Sequence, residues 1–233
     1  MADVFATLSA ADARAAENSF VTKVYGWMAF GLLVTAVVAM GVASSDGMVE
    51  TIAGTPALFY GLIIGELGLV LVLTMGINRL SPAAATGLFV LFAGVNGLTL
   101  SIIFVIYTAA SLTTTFVITA GTFGAMSVYG YTTKRDLTSI GNLCFMGLIG
   151  IILASIVNIF LRNEAVYWVV SYAGVLIFVG LTAYDAQRIK QMARGMVDGS
   201  AMAHRAAILG ALRLYLDFIN LFLFLLRIFG RRR

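Results

Sequence analysis

The sequence lacks the residues from which most catalytic and metal centres are built. It contains one cysteine, Cys144, and one histidine, His204. A single cysteine within an apolar run excludes a disulfide framework or a thiolate metal site within one chain. One histidine leaves no ligand set for zinc and no Ser-His-Asp constellation. We therefore expect no catalytic residue and no cofactor.

Charge is scarce as well. Charged residues make up 11% of the chain, hydrophobic residues 61%, and the mean hydropathy is +0.98. Soluble domains carry about 25% charged residues. A chain this apolar could not cover a water-facing surface, so lipid must be its solvent. The sequence predicts one all-α integral membrane domain whose partner is the bilayer. Its net charge of +4 lies in short loops, which favours a role in topology over binding of nucleic acid.

Runs without charge predict the membrane spans, since a spanning helix needs about 20 mainly apolar residues. The longest run, 80–133, has no charge over 54 residues. As one helix it would be about 81 Å long, so it must form two spans with a turn in the Ser/Thr-rich stretch 107–115. Small residues such as Gly121 and Gly124 are expected at helix contacts. The predicted spans are 24–45, 51–78, the two halves of 80–133, 137–161, 165–184 and 206–229.

The placement of basic residues predicts the topology. Residues 1–23 form a short cytoplasmic tail, 24–230 the membrane domain and 231–233 a basic tail. With the N-terminus cytoplasmic, nine basic residues lie inside, and Arg162 alone lies in an outside loop. Seven full spans would place the basic tail outside, against this rule. Either the tail is an exception, or the last segment is re-entrant and returns to the cytoplasm.

Three carboxylates within the spans are candidates for function, because an ionisable group in a bilayer costs about 2.5–3.5 kcal/mol. Glu66 has no charged residue within ten positions on either side, and a buried, hydrogen-bonded and protonated acid is as plausible as a functional role. Asp185 ends the sixth predicted span and could pair with Arg188 one turn later. Asp217 lies inside the seventh.

The last span carries a polar stripe. Arg213, Asp217 and Asn220 fall at i, i+4 and i+7, on one face of an otherwise apolar helix. Such a stripe must face protein or water, which predicts that the C-terminal helix is central among seven transmembrane helices. Alternatively, Arg213 and Asp217 simply neutralise each other within the helix.

The sequence resembles the Bax inhibitor-1 family, also called the transmembrane Bax inhibitor motif family. The similarity lies in the segments GLTAYDAQRIK (180–190) and LYLDFINLFLFLLRIFG (214–230), with ELGLVL around Glu66, NGLTLSIIFVIYT in the third span and TAGTFGAMSVYGYTTKRDL after it. It extends from about residue 23 onward. The resemblance implies a seven-helix fold with the C-terminal helix enclosed by six others.

The resemblance also implies a function. Bacterial members are described as pH-sensitive calcium leak channels in which two aspartates of the last two helices share a proton and gate the pore. The matching residues are Asp185 and Asp217, which would also bind calcium weakly and transiently. A closed-state arginine latch is described at the cytoplasmic end of the second helix. The nearest residue here, Arg79, is displaced by about two positions, so Arg213 is an alternative partner.

Paired carboxylates explain how such a gate could sense pH. Two carboxylates within hydrogen-bond reach cannot easily both ionise in a low dielectric, so the pair holds one proton in the physiological range. Calcium prefers six to eight oxygen ligands. The two aspartates, Asn220 and backbone carbonyls supply only part of that shell, which suits a leak better than storage.

Two other functions compete with a leak. A non-transporting regulator would bind another membrane protein or a protease, and the family name reflects that role. An intramembrane aspartyl protease also needs two aspartates. Tyr184-Asp185 matches the first half of its signature, but Asp217 is not preceded by Gly-x-Gly, so this function is the least favoured. The short loops and the resemblance to bacterial proteins predict a multi-pass protein of the bacterial inner membrane.

Overall fold

The computed structural model describes residues 10–194, 196 and 199–233. These residues form eight α-helices and contain no strand apart from one isolated bridge. Seven of the helices are long and apolar enough to cross a membrane, so the predicted all-α membrane fold is confirmed. The helices are α1 (Ala10–Ala43), α2 (Asp46–Gly54), α3 (Pro56–Gly76), α4 (Pro82–Ile106), α5 (Ala109–Thr132), α6 (Thr138–Leu161), α7 (Glu164–Ala193) and α8 (Ala201–Phe229).

The first helix is longer than its charge-free run. It begins at Ala10, whereas the sequence placed a separate tail up to residue 23. Alanine is a strong helix former, and the segment AADARAAENSF extends the spanning helix without a break. Phe20, which is buried, packs this extension into the core. Residues 1–9 of the predicted tail lie outside the described residues.

Two helix boundaries that hydropathy did not predict, the start of α3 and the start of α5, are fixed by a proline and a threonine. Thr55 is extended, as expected before a proline, and Pro56 opens α3, so the start of the predicted second span belongs to the short helix α2. The turn between α4 and α5 consists of Tyr107 and Thr108 only. The Thr108 hydroxyl accepts a hydrogen bond from the amide of Ser111, which caps α5.

Helix α7 extends well past the end of its predicted span. It continues to Ala193, nine residues beyond Tyr184. Its last turns carry Arg188 and Lys190, and cations are favourable near a helix C-terminus. Asp185 therefore lies inside a helix and not at its end.

The C-terminal helix is the centre of the bundle, as predicted. In the apolar 18-residue stretch of α8, 61% of the residues are buried, whereas at most 33% are buried in the corresponding stretch of any other span. Helix α8 packs against α1, α4, α5 and α7. The outer helices α3 and α6 pack instead on α4 and α7, respectively.

The last helix crosses the whole bundle. Its 29 residues are continuous and span about 44 Å. Beyond it, the amide of Arg233 donates to the carbonyl of Ile106 at 2.9 Å, and the amide of Thr108 donates to the carbonyl of Arg231 at 3.2 Å. Ile106 ends the third span, on the face opposite the start of α1. A re-entrant last segment is therefore excluded, and the basic tail is an exception to the distribution of the other cations.

Glycines mark the close helix contacts, but not all of those expected. A Cβ on Gly130 would overlap the Ala183 carbonyl oxygen of α7 and would lie 2.9 Å from the Ala183 Cα. At Gly121 and Gly124 a Cβ would meet nothing within 4 Å. The predicted close helix contact is therefore wrong for Gly121 and Gly124. Of these three glycines of α5, Gly130 is the one that faces the α7 backbone.

Gly130→Ala should lower the free energy of unfolding by about 1–3 kcal/mol, since backbone atoms of α7 would have to shift to admit a methyl group. The matched variant Gly121→Ala lies on the same helix with open space around it. It should be neutral or stabilising by up to about 1 kcal/mol, because alanine favours the helix. Thermal unfolding of both purified variants in one detergent measures the difference. Equal stability of the two would contradict the α5–α7 contact.

Candidate functional site

A largely apolar cavity with a charged stripe on one side lies between the central helix and the outer helix α6. Its volume is about 740 Å³, and it lies where α3 and α6 stand away from α8. One wall is the apolar face of α6, from Gly141 to Ile159. The polar stripe predicted for the last span forms the other wall. The charged and amide side chains that line the cavity are Asn142, Asp185, Arg188, Arg213, Asp217 and Asn220.

The structure brings the two predicted aspartates together. The side chains of Asp185, on α7, and Asp217, on α8, line the same cavity and interact with each other across the α7–α8 interface. Both residues are buried, with exposed fractions of 9% and 4%. Among the described residues, the Oδ2 atom of Asp217 has no hydrogen-bond partner. The two aspartates are thus neighbours, and the hydrogen bond between their carboxyl groups stays a prediction.

Arg213 pairs with Asp185 across the helix interface. Its Nη1 atom lies 3.6 Å from Asp185 Oδ1, which is an ion pair and longer than a hydrogen bond. Neutralisation of Asp217 within α8 alone therefore does not describe the site. Arg188 interacts with Asp185 electrostatically, while its Nη1 atom donates to the Tyr184 hydroxyl at 3.4 Å.

Arg79 does not reach the pair. It ends the 3₁₀ turn Ile77–Arg79 that follows α3, and its side chain is exposed. That turn is held by Arg205 of α8, whose Nη1 atom donates to the carbonyls of Asn78 at 3.0 Å and Leu80 at 3.2 Å. Of the two arginines considered as the latch, the structure places Arg213 against Asp185.

Arg188 is exposed, so water screens its charge, and the charges shielded from solvent are those of Arg213, Asp185 and Asp217. These three side chains would be neutral together with one proton bound. Arg213 contributes one positive charge, and the Asp185–Asp217 pair contributes one negative charge while its carboxyl groups share a proton. Loss of that proton leaves a net negative charge in a buried position, which is costly unless water or a cation enters.

Asn220 completes the polar stripe in a different way from the charged residues. It lines the same cavity, and its Nδ2 atom donates to the carbonyl of Leu216 at 2.8 Å, within its own helix. Its side-chain oxygen is therefore the atom available to the cavity. The prediction that Arg213, Asp217 and Asn220 share one face of α8 is confirmed.

Glu66 belongs to a second polar network. Its two carboxyl oxygens accept hydrogen bonds from Asn96 Nδ2 at 2.9 Å and Thr99 Oγ1 at 2.7 Å, both on α4. The predicted hydrogen bonding is confirmed. The side chain is half-buried rather than buried, because α3 is an outer helix.

Tyr215 connects this second network to the central helix, and sequence analysis did not identify it. Its hydroxyl donates to Asn96 Oδ1 at 2.9 Å and lies 2.6 Å from Thr35 Oγ1. Thr35 lies in turn 2.8 Å from the carbonyl of Ala93. A signal existed in the sequence: Asn96 is the only amide side chain in the apolar run 80–133, and such a residue needs a partner.

The fold and the buried aspartates define a polytopic α-helical membrane protein with a cluster of charged residues beside its last helix. The chain belongs to the Bax inhibitor-1 family, since the family model described as "Inhibitor of apoptosis-promoting Bax1" matches residues 17–233. The resemblance seen in the sequence is confirmed.

Bacterial relatives cover nearly the whole chain. "Inner membrane protein YbhL" of Escherichia coli strain K12 is 54% identical over 221 residues, which are 94% of each chain. A protein of Borreliella burgdorferi is 46% identical over 217 residues, 93% of this chain and 94% of its own. A membrane protein of Streptococcus pyogenes serotype M3 is 40% identical over 220 residues, 92% of this chain and 93% of its own.

Tyr215→Phe should lower the free energy of unfolding by about 1–3 kcal/mol, because it removes one hydroxyl and leaves the half-buried Asn96 and the buried Thr35 without that partner. Tyr60→Phe is the matched control, since Tyr60 is 64% exposed and should change stability by less than about 0.5 kcal/mol. Urea or thermal unfolding in detergent compares the two. A Tyr215→Phe protein as stable as the control would show that the network contributes nothing.

Proposed function

We propose that this protein is a passive, pH-gated cation leak channel with a preference for calcium, controlled by the proton on the Asp185–Asp217 pair. The observation that carries the proposal is the placement of these two buried and interacting aspartates beside one cavity of about 740 Å³. A pair that shares one proton changes its charge when the pH crosses its titration range. Neither ATP binding nor catalysis is needed for such a function.

The charge balance of the site supports gating by that proton. With the proton bound, Arg213 and the aspartate pair are neutral together, and the closed packing of α7 on α8 is stable. With the proton lost, the two carboxylates repel each other and the site attracts a cation. Ionisation thus favours both an opening between the helices and occupancy by a positive ion.

The ligands around the cavity support transient binding of calcium. Asp185, Asp217 and the Asn220 side-chain oxygen are hard oxygen donors, which calcium prefers. They fill only part of a shell of about six to eight ligands, so water must complete it. A partly hydrated ion that binds weakly leaves quickly, as a leak requires.

We infer a location in the bacterial inner membrane with the N-terminus in the cytoplasm. One relative is named an inner membrane protein, and the chain has seven helices suited to span a membrane. The turns on the face of Arg79 carry most of the cations, including Lys134 and Arg135. That face is cytoplasmic if the positive-inside rule applies.

An aspartyl protease is less consistent with the ion pair. A catalytic aspartate pair activates water by sharing a proton between equivalent carboxyl groups. Among the described residues, Arg213 forms a salt bridge with Asp185 and none with Asp217, so the two groups are not equivalent. If the protein carries no ion flux, the alternative function is favoured: a regulator that binds another membrane protein.

Replacing either aspartate by asparagine should abolish the pH response of the leak. Asp185→Asn and Asp217→Asn keep the side-chain size and remove the coupled titration. In liposomes loaded with a calcium dye, both variants should lose the change in flux between about pH 6 and 8 that the unmodified protein shows. The channel formed by each variant should be either open or closed at every pH in this range.

Asp136→Asn is the matched control. Asp136 is exposed in the loop before α6, and hydrogen bonds from the Thr138 hydroxyl and amide lower the pKa of its carboxyl. It therefore stays ionised over the tested pH range, and its replacement should leave the response intact. Unmodified protein that passes no calcium at any pH would favour the regulator. Variants that keep the full response would exclude the pair as sensor.

A second prediction separates the two candidate latch residues. Arg213→Gln removes the cation that stabilises ionised Asp185, so the midpoint of the flux response should move to higher pH. Arg79→Gln removes an exposed cation away from the pair and should leave the midpoint unchanged. Flux measured in steps across the pH range compares the variants. A shift in Arg79→Gln alone would assign the latch to the turn after α3.

A further inference from the structure

The basic tail is fixed in place by its backbone. Arg231 donates its amide to the Ser111 hydroxyl at 3.0 Å and accepts a hydrogen bond from the Thr108 amide at 3.2 Å. Arg232 forms an antiparallel bridge with Tyr107. The tail thus lies across the turn between α4 and α5 with all three arginine side chains exposed. Three cations are held together at the membrane face opposite the start of α1.

An apolar cavity lies beside this turn, towards the middle of the bundle. Its volume is about 240 Å³, and Thr35 and Thr113 are the only polar residues in its lining. Leu112 and Phe222 line the cavity and also pack with Tyr107, the residue bridged to the tail. The arginines of the tail therefore lie near one end of this apolar cavity.

The cavity exists because two consecutive helices diverge. Helices α4 and α5 are joined by a two-residue turn, yet α4 packs on α1, α3 and α8, while α5 packs on α7 and α8. The space between α4 and α5 is lined by Phe104 on one side and Phe116 on the other. Phe116 is 50% exposed, so the lining continues onto the outer surface of the bundle, which faces lipid.

We propose that this place binds one anionic phospholipid of the surrounding leaflet, with its phosphate on the arginines of the tail and one acyl chain between α4 and α5. Charge complementarity selects the headgroup, because a cluster of arginines near a membrane surface attracts anionic lipid. The apolar lining selects an acyl chain over water, since dry apolar cavities accept apolar ligands. This proposal does not depend on ion transport or on the aspartate pair.

Native mass spectrometry of the delipidated full chain tests the proposal. The protein is titrated with phosphatidylglycerol or with phosphatidylcholine carrying the same acyl chains. We expect one tightly bound lipid, with phosphatidylglycerol preferred at least about tenfold, as a cluster of arginines near a headgroup predicts. The triple variant Arg231→Gln, Arg232→Gln, Arg233→Gln should lose this preference and bind both lipids as the unmodified protein binds phosphatidylcholine.

A charge-matched control and a cavity variant locate the site. Arg79→Gln, Lys134→Gln, Arg135→Gln removes three exposed cations from the opposite face and should keep the preference. Ala36→Leu combined with Thr113→Leu fills the apolar cavity without changing charge and should lose the first lipid of either class. If that variant fails to fold, a phosphatidylglycerol with a photoreactive acyl chain should label peptides of α4 and α5 in the unmodified protein.

Equal binding of the two lipids by the unmodified protein would overturn the proposal, as would a folded cavity variant that retains the first lipid. Labelling confined to other helices would also overturn it. Inorganic phosphate that displaces phosphatidylglycerol at millimolar concentration would assign the arginines to free phosphate and remove the role of the acyl chain.

Discussion

Moving one arginine and two carboxylic acids out of water costs several kcal/mol per ion unless their charges balance. In this protein Arg213, Asp185 and Asp217 balance only when one proton is present. Arg213 Nε and Asp217 Oδ2 are also buried and have no hydrogen-bond partner among the described residues, which adds to this cost. The same two residues line the cavity with other atoms. Helices α3 and α6 stand away from α8 at the point where the charged residues would otherwise be sealed in lipid-like surroundings.

The central helix carries polar groups on two opposite faces. Tyr215 and Asp217 are two positions apart, which places them about 200° apart around the helix. Tyr215 faces Thr35 on α1 and Asn96 on α4, while Asp217 faces α7. Helix α8 is therefore held by hydrogen bonds on one side and by charge on the other. Any rotation or shift of α8 that separates the aspartates also strains the bonds of Tyr215, so the two networks are mechanically joined.

The sequence predicted the spans well because charge is excluded from lipid. It predicted the helix ends poorly because the residues that cap or start a helix do not change the hydropathy. The length of α1 depends on the alanines after Ala10, and the start of α3 on Pro56, neither of which changes hydropathy. The stripe on α8 was predictable from spacing alone. The Tyr215 network was predictable only in part, because Asn96 shows that a polar partner is needed, while nothing in the sequence identifies Tyr215 as that partner. The cavity was not predictable, since it depends on which helices fail to touch.

The position of Arg213 decides how the charged cluster can respond to a lost proton. Because Arg213 and Asp217 are one turn apart on α8, they move together, and both face Asp185 on α7. A lost proton adds repulsion between the carboxylates, while the attraction of Arg213 for Asp185 persists at the same interface. Under the proposed gating, this predicts a partial opening in which α7 and α8 stay joined by the ion pair. Arg79, in the turn after α3, would instead tie the proposed gate to an outer helix. With Arg213 as the partner, the proposed switch is contained within α7 and α8, and α3 contributes only Thr74 to the cavity lining.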